Sequence, residues 1–252
     1  MLPSISILTC TYGRTELLSE LIECFDRQSY DGVLELIIVN DCPLQTLECN
    51  ALGVRIINAP SPFSTYADKR NAALDAATGE FVSLWDDDDI YLPTFLASVV
   101  SKLQDNDKAM RLSRLMTWDG RFSKVIAGAQ YHAAIIKTDE LRAIGGWKNV
   151  DVTDADLVKR MITYRFFHGA HQHTDDAFPP LMIYRTDPER AHMGVEPRPT
   201  REQYMEAMNR RIYAGKEPRG TVDIVPAWSQ DWEAFVVAHL PVPVPPQPPV
   251  QP

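Results

Sequence analysis

No stretch of this chain comes near the roughly 18 consecutive apolar residues needed to span a bilayer. The amino terminus, MLPSISILTCTYGR, has no basic segment followed by a long apolar run and a small-residue cleavage site. It does not read as a signal peptide, and a cytoplasmic location is expected. Cysteine is scarce and unpatterned. Cys10, Cys24, Cys42 and Cys49 form no CxxC pair and no zinc-type spacing. Cys10 and Cys24 sit in apolar surroundings, as buried free thiols in a reducing compartment do. Positive charge is also short: 25 Lys and Arg against 34 Asp and Glu leave a formal net charge of -9. That disfavours a general binder of polyanions, because phosphate backbones reward Lys and Arg. There is no GxGxxG after a strand and no GxxxxGK followed by Ser or Thr, which disfavours dinucleotide oxidoreductases and P-loop NTPases. There is no GxSxG elbow of an α/β hydrolase either. No internal repeat is visible.

What is present suits one large α/β domain, alone or with a small appendage: 252 residues, 45% of them hydrophobic. Residues 4–9 read as a short buried strand. Leu17, Leu18, Leu21, Ile22 and Phe25 recur at helical spacing over 16–25. Further strands are expected over 34–39, 54–57 and 81–85. Helices are expected over 64–77, stopped by Gly79, and over 94–103 after Pro93. Strands alternating with helices imply a doubly wound, mostly parallel sheet. Ligands bind such sheets outside the carboxyl ends of the strands. The polar clusters lie there: 11–14, Asn40-Asp41, and 86–89. From about residue 110 the pattern changes. A hairpin over 112–118 and 122–127 turns at Asp119-Gly120, followed by a strand over 131–136 and a short helix over 139–144. A helix over 154–164, a late strand over 181–184 and an amphipathic helix over 200–213 complete the pattern. Residues 241–252 are mostly proline and read as a disordered or polyproline tail.

The strongest single feature is the run Phe81-Val82-Ser83-Leu84-Trp85-Asp86-Asp87-Asp88-Asp89-Ile90-Tyr91-Leu92-Pro93. Four consecutive aspartates repel one another and normally belong on a solvated surface. Here apolar residues bound them on both sides. Carboxylates held together at the mouth of a buried strand suit a hard divalent cation, which takes carboxylate oxygens plus the phosphate oxygens of a substrate. Such a cation also lets an acidic protein bind an anionic ligand.

An apolar strand, then Asp-x-Asp-Asp, then proline four residues on, resembles the DXD region of GT-A fold glycosyltransferases, and specifically of the inverting family 2. Other segments agree in order. Ile7-Leu8-Thr9-Cys10-Thr11-Tyr12-Gly13-Arg14 is similar to the family's opening strand and nucleotide-base loop, with Gly13 in place of the usual Asn. Ile37-Ile38-Val39-Asn40-Asp41 resembles its second strand, with Asn40 for the first Asp and Cys42-Pro43 for Gly-Ser. Lys69-Arg70-Asn71-Ala72-Ala73 through Gly79-Glu80 is similar to its Arg-Asn-x-Gly helix. The resemblance covers about residues 4–192. It implies a GT-A domain over 1–195, split into a nucleotide-binding half (1–109) and an acceptor-side half (110–195), with a helical extension over 196–240 before the tail over 241–252.

The resemblance also implies roles. Thr11, Tyr12 and Arg14 would line the base pocket, and Asp41 would accept a hydrogen bond from base or ribose. Asp86 would sit near the ribose and the metal, and Asp88 would ligate Mn2+ or Mg2+. Asp89 would ligate too or position the next strand. Thr9, Arg70 and Asp87 join the donor-binding set, although Arg70 and Asn71 also read as structural. Gly145-Gly146-Trp147 followed by Thr153-Asp154-Ala155-Asp156-Leu157 through Arg160 resembles the family segment that carries the general base. The base would fall on Asp154, with Asp156 as fallback; the alternative is that a Thr or Asp just before the helical run is only an N-cap. Of the late histidines His168, His171, His173 and His192, the last is at a family-like distance to be an extra metal ligand. A UDP-sugar is the default donor by resemblance, with GDP and dTDP donors open. The acceptor would be a hydroxyl of a polysaccharide or lipid-linked glycan. A protein or a modified DNA base, as for some phage enzymes, is the alternative, and Arg198, Arg201, Arg210, Arg211 and Arg219 keep DNA open. A nucleotidyltransferase would need a basic Gly-rich loop, of which only Gly13-Arg14 is present. A non-catalytic nucleotide-sugar-binding module is the remaining reading.

Overall fold

A computed structural model describes residues 1–120, 123–149, 153–164, 166, 180–185 and 218–240. The first strand, β1 (Ile5–Thr11), is buried along its whole length, as expected of a central parallel strand covered on both faces. Helix α1 (Thr15–Asp26) follows, then β2 (Leu34–Asn40), the short β3 (Gln45–Glu48) and β4 (Val54–Asn58). Helix α2 (Tyr66–Ala76) starts at Thr65, whose hydroxyl accepts the Asp68 amide at 3.1 Å, a standard N-cap. Then come β5 (Phe81–Leu84), the two-residue β6 (Ile90–Tyr91), α3 (Phe95–Val100), the hairpin of β7 (Ala109–Trp118) and β8 (Ser123–Lys137), α4 (Thr138–Ala143) and α5 (Thr153–Thr163). The last described elements are β9 (Met182–Arg185), β10 (Gly220–Asp223) and α6 (Trp232–His239).

Eight strands form one sheet in the order β4-β2-β1-β5-β8-β7-β9-β6. The β4-β2-β1-β5 half is parallel. Beyond it, β8 pairs antiparallel with both β5 and β7. Alternation along the strands separates two cores. Ile5 and Ile7 join Leu18, Leu21, Ile22 and Phe25 on one face. Leu8, Ile37 and Val39 join Leu74, Leu141 and Met161 on the other. Each fully buried aliphatic side chain contributes about 1.5–3 kcal/mol, which makes the sheet a rigid support for the loops at its carboxyl end.

Two expectations need correction. The separate strand expected over 131–136 is the far half of the 15-residue β8, because the chain crosses this stretch without a turn. The helix expected to run to 103 stops at Val100; Lys102 and Leu103 donate to carbonyls three residues back, a tighter closing turn. Strands β3, β6 and β10 are two to four residues long, too short to show a period. Gly79 is required where α2 returns to β5. A Cβ there would lie 2.5 Å from the Ser6 backbone nitrogen.

The carboxyl-terminal segment returns to the start of the chain. β10 pairs in parallel with β3, and Trp232 and Val236 of α6 share the core with Leu18 and Leu21 of α1. The helix expected over 200–213 and the proline tail lie outside the described residues. Among the described residues, no helix is long and apolar enough to cross a membrane.

Candidate active site

The four aspartates follow β5 directly, and each faces a different environment. Trp85, before them, is buried and stacks on Tyr91 with ring centroids 4.0 Å apart. Phe95 packs edge-on against both rings. The Tyr91 hydroxyl accepts the Asp86 amide at 3.0 Å, so the aromatic floor holds the loop directly. The Asp86 side chain is a quarter exposed, with Oδ1 3.6 Å from Arg70 Nη2. Asp87 and Asp88 share one donor: Arg14 Nη1 reaches Asp87 Oδ1 at 2.9 Å and Asp88 Oδ2 at 3.0 Å. Asp89 is fully buried, and its Oδ1 accepts the Arg185 amide at 3.0 Å. Its Oδ2 has no partner among the described residues. Burial, then the Asp88 and Asp86 charges, push the Asp89 carboxyl well above the usual carboxylate range. Burial raises Asp87 as well, with Arg14 opposing it and Asp88 adding to it.

The loop after β1 and the first turns of α2 form the facing wall. Thr9, expected to touch the donor, is fully buried, and its hydroxyl donates to the Trp85 carbonyl at 3.0 Å. It ties β1 to β5. Thr11 is 2% exposed, at the strand end. Lys69 is nearly buried, and its Nζ donates to the Thr11 carbonyl at 2.6 Å and to Asp41 Oδ1 at 2.5 Å. Asp41 Oδ2 accepts the Phe63 amide at 3.1 Å. Arg70 stacks on Tyr66, with Cζ 4.4 Å from the ring centroid, and lies 5.8 Å from that of Trp147. Five carboxylates (Asp41 and Asp86 to Asp89) thus face three cations (Arg14, Lys69 and Arg70), an excess of negative charge when all are ionised.

That donor set fits a divalent metal of the Mg2+ or Mn2+ kind. Such ions need only one or two carboxylates when substrate phosphates supply further oxygens. Asp86 and Asp88 are the two of the run whose side chains reach the surface most, at 25% and 13%. Among the described residues, no three His, Cys, Asp or Glu side chains gather into a complete cage.

From α2, Asn71 clamps the Gly-Gly-Trp turn. Its Oδ1 accepts the Trp147 amide and its Nδ2 donates to the Trp147 carbonyl, both at 2.9 Å. Gly146 has φ +58, and a Cβ on it would meet Asn71 Oδ1 at 2.3 Å. Asp156 Oδ2 accepts Arg160 Nε at 2.7 Å, while Arg160 also donates to the Ile144 and Gly146 carbonyls. Asp156 is therefore engaged along its own helix and anchors the turn. Asp154 lies in the first turn of α5; its side chain, and all of His168, His171, His173 and His192, lie outside the described residues.

Sequence reasoning misses two parts of this arrangement. Lys69 enters it only as part of a helix motif, although a lysine one residue before an Arg-Asn pair on a helix with buried alanines is a detectable signal. Glu20 and Arg185 form a buried ion pair, Nη1 to Oε2 at 2.5 Å, across 165 residues. Its one trace in the sequence is a glutamate within the apolar face of α1.

A mostly parallel sheet with helices on both faces, carrying an acidic loop and a facing basic wall at its carboxyl end, defines the GT-A glycosyltransferase fold. The family model described as glycosyl transferase family 2 matches residues 6–166, and the chain belongs to that family. An uncharacterised glycosyltransferase of Haemophilus influenzae is 26% identical over 173 residues, 66% of this chain and 50% of that protein. The uncharacterised glycosyltransferase YwdF of Bacillus subtilis is 33% identical over 107 residues, 41% of this chain and 39% of that one. The chain spans about half the length or less of these curated relatives. Among solved structures, TarS of S. aureus superposes with a TM-score of 0.57 at 16% identity, covering 72% of this chain and 60% of that one. TarS in complex with UDP-GlcNAc gives a TM-score of 0.56 at 15% identity, over 82% and 64%.

Proposed function

We propose that this chain is an inverting glycosyltransferase that moves a sugar from a nucleotide-sugar, with UDP as the leaving nucleotide, to a hydroxyl of a polysaccharide or lipid-linked glycan. The observation that carries the reading is the pairing of Asp86 and Asp88 with Arg70 and Arg14 at the carboxyl end of β5. The UDP-GlcNAc complex of the similarly folded TarS supports the donor class.

In this reading Thr11, Tyr12 and Arg14 line the base pocket, and Asp41 accepts a hydrogen bond from base or ribose. Lys69 holds Asp41 in place and offsets its charge. Asp86 faces the ribose; Asp88, with Asp86, holds Mn2+ or Mg2+. Held there, such an ion would supply Lewis-acid stabilisation to a leaving diphosphate. Arg14 holds Asp87 and Asp88 together when no donor is bound, and Arg70 braces Asp86 against the Tyr66 ring. Asp89 acts from inside, tying the loop to β9. Asp154 takes the proton of the acceptor hydroxyl, on the sugar face opposite the leaving group. The buried thiols Cys10, Cys24 and Cys42 suit a reducing, cytoplasmic setting.

The test is calorimetric binding of UDP, GDP and dTDP, each with Mn2+ and with chelator, to the wild type and Asp88→Ala. UDP should bind the wild type only with metal, and the variant should lose it. Absence of any nucleotide binding with or without metal would remove the reading. Metal-dependent binding without sugar release or transfer, across a panel of UDP-sugars and acceptors, would favour the binding-module alternative.

A further inference from the structure

From the acidic loop a chain of buried polar contacts, which the donor site does not itself require, runs to the carboxyl-terminal segment. Asp88 uses its side chain toward Arg14, while its main-chain carbonyl accepts Arg185 Nε. The Arg185 amide holds Asp89 Oδ1. One residue of β9 thus fixes two successive residues of the run. The Arg185 side chain is 2% exposed, and Nη1 is paired with Glu20 Oε2. The other Glu20 oxygen accepts three donors from the carboxyl-terminal segment: the Ser229 amide at 3.1 Å, the Ser229 hydroxyl at 2.5 Å and the Trp232 indole N–H at 3.1 Å. The Trp232 ring also lies under the guanidinium, 5.6 Å from Cζ.

We infer that Glu20 and Arg185 are positioning residues for the acidic loop, and that Ser229 and Trp232 complete them, so that residues 218–240 are a working part of the donor site. The inference rests on the reading of Asp88 as a donor-side ligand. A purely structural ion pair would be satisfied by Glu20 and Arg185 alone. Here the amide and Nε of Arg185 end on the loop, and Glu20 is aimed by groups more than 200 residues away. The carbonyl that Arg185 holds and the carboxylate that faces the donor belong to the same residue. A shift of the carbonyl therefore carries the carboxylate with it. Sites of this kind lose about a hundredfold for a displacement of about 1 Å, and they need support within about 0.5 Å.

The experiment has two arms on the full chain. Amide hydrogen exchange over residues 86–92 reads the loop without any ligand; the Asp89 and Leu92 amides there are hydrogen-bonded. Calorimetry with UDP and Mn2+ reads the consequence. The variants are Glu20→Gln, Arg185→Lys and the milder Trp232→Phe, which keeps an aromatic ring, smaller than indole, and loses the N–H. Glu35→Gln is the control. Glu35 accepts hydrogen bonds from Ser6 and Thr78 at the opposite end of the strands, about 16 Å from the site by strand rise. Exchange over 86–92 should quicken at least about tenfold in Glu20→Gln and Arg185→Lys, and less in Trp232→Phe. Affinity for UDP with Mn2+ should fall about ten- to a hundredfold. The control should lose stability without either effect. Arg185→Lys keeps a charge for Glu20 but cannot also reach the Asp88 carbonyl, so it separates loop support from ion pairing. Loop exchange at the wild-type rate in variants that lose thermal stability would overturn the inference. A wild type that binds no nucleotide would instead overturn the donor-site reading, with the exchange arm still deciding whether the relay holds the loop.

Discussion

Replacing Lys69 with methionine keeps the length and apolar stem of the side chain and removes its charge. The Nζ group lies 2.5 Å from Asp41 Oδ1, with the two side chains 6% and 10% exposed. Removing one partner of such a pair costs about 3–5 kcal/mol, because the other charge stays buried and uncompensated. Asp41 keeps the Phe63 amide on Oδ2, which places the expected loss near the lower end, about 3 kcal/mol. A chain of this size loses about 2–4 °C of Tm per kcal/mol, so the midpoint should fall by about 6–12 °C. Thermal melting followed by circular dichroism measures the midpoint, and urea denaturation with an unchanged m-value measures the free energy. Lys69→Met combined with Asp41→Asn should recover about 2 kcal/mol, because the stranded carboxylate is then neutral. A loss below about 1 kcal/mol for Lys69→Met, or strict additivity in the double variant, would refute the reasoning. The pair would then behave as a hydrated surface bridge.

Gly146→Ala should cost about 2–4 kcal/mol, because it strains a left-handed residue and breaks the Asn71 clamp on Trp147; thermal denaturation checks it. Glu20 is pushed up by burial, but the Arg185 charge and the Ser229 hydrogen bonds outweigh this and hold it below its ordinary 4.5. Its stabilising contribution is therefore complete above that value and is lost as the pH falls through the lowered one. Urea midpoints should drop over that acid window in the wild type, and less steeply in Glu20→Gln. Burial pushes the Cys10 and Cys24 thiols up to about 12, and Cys42 is buried. A disulfide-exchange reagent should label Cys49 in the native protein, and all four thiols only after unfolding.

Much of the parallel half of the sheet was legible because its signals are local. Buried runs such as Leu34 to Val39 and the spacing of Leu18, Leu21 and Ile22 each report on one element. That the acidic run is not an ordinary solvated turn was legible from the apolar residues on both sides of it, and Asp87, Asp88 and Asp89 are buried. What was not legible is which of them faces out. Asp87 and Asp89 differ in burial from Asp86 through contacts with Arg14 and Arg185, which lie 73 and 96 residues away. No window of sequence holds both partners. Thr9 illustrates the same limit: its hydroxyl is taken by a carbonyl 76 residues on. The short strands β3 and β10 escaped because four residues carry no period, and each exists only by pairing with the other.

The return of α6 onto α1 has a consequence for biosynthesis. Glu20 is made well before its partners: Arg185 follows 165 residues later and Trp232 follows 212 later. At about 5–20 residues per second, the Trp232 partner emerges roughly 10–40 s after Glu20. Until Arg185 emerges, roughly 8–33 s after Glu20 at that rate, a carboxylate destined for the interior has no counter-charge, and seating it would cost several kcal/mol. On the ribosome, helix α1 must therefore wait with this face toward water, so the earliest strands gain their full cover only when the late helix arrives. A nascent chain stalled before residue 229 should be open to proteases and chaperones along α1.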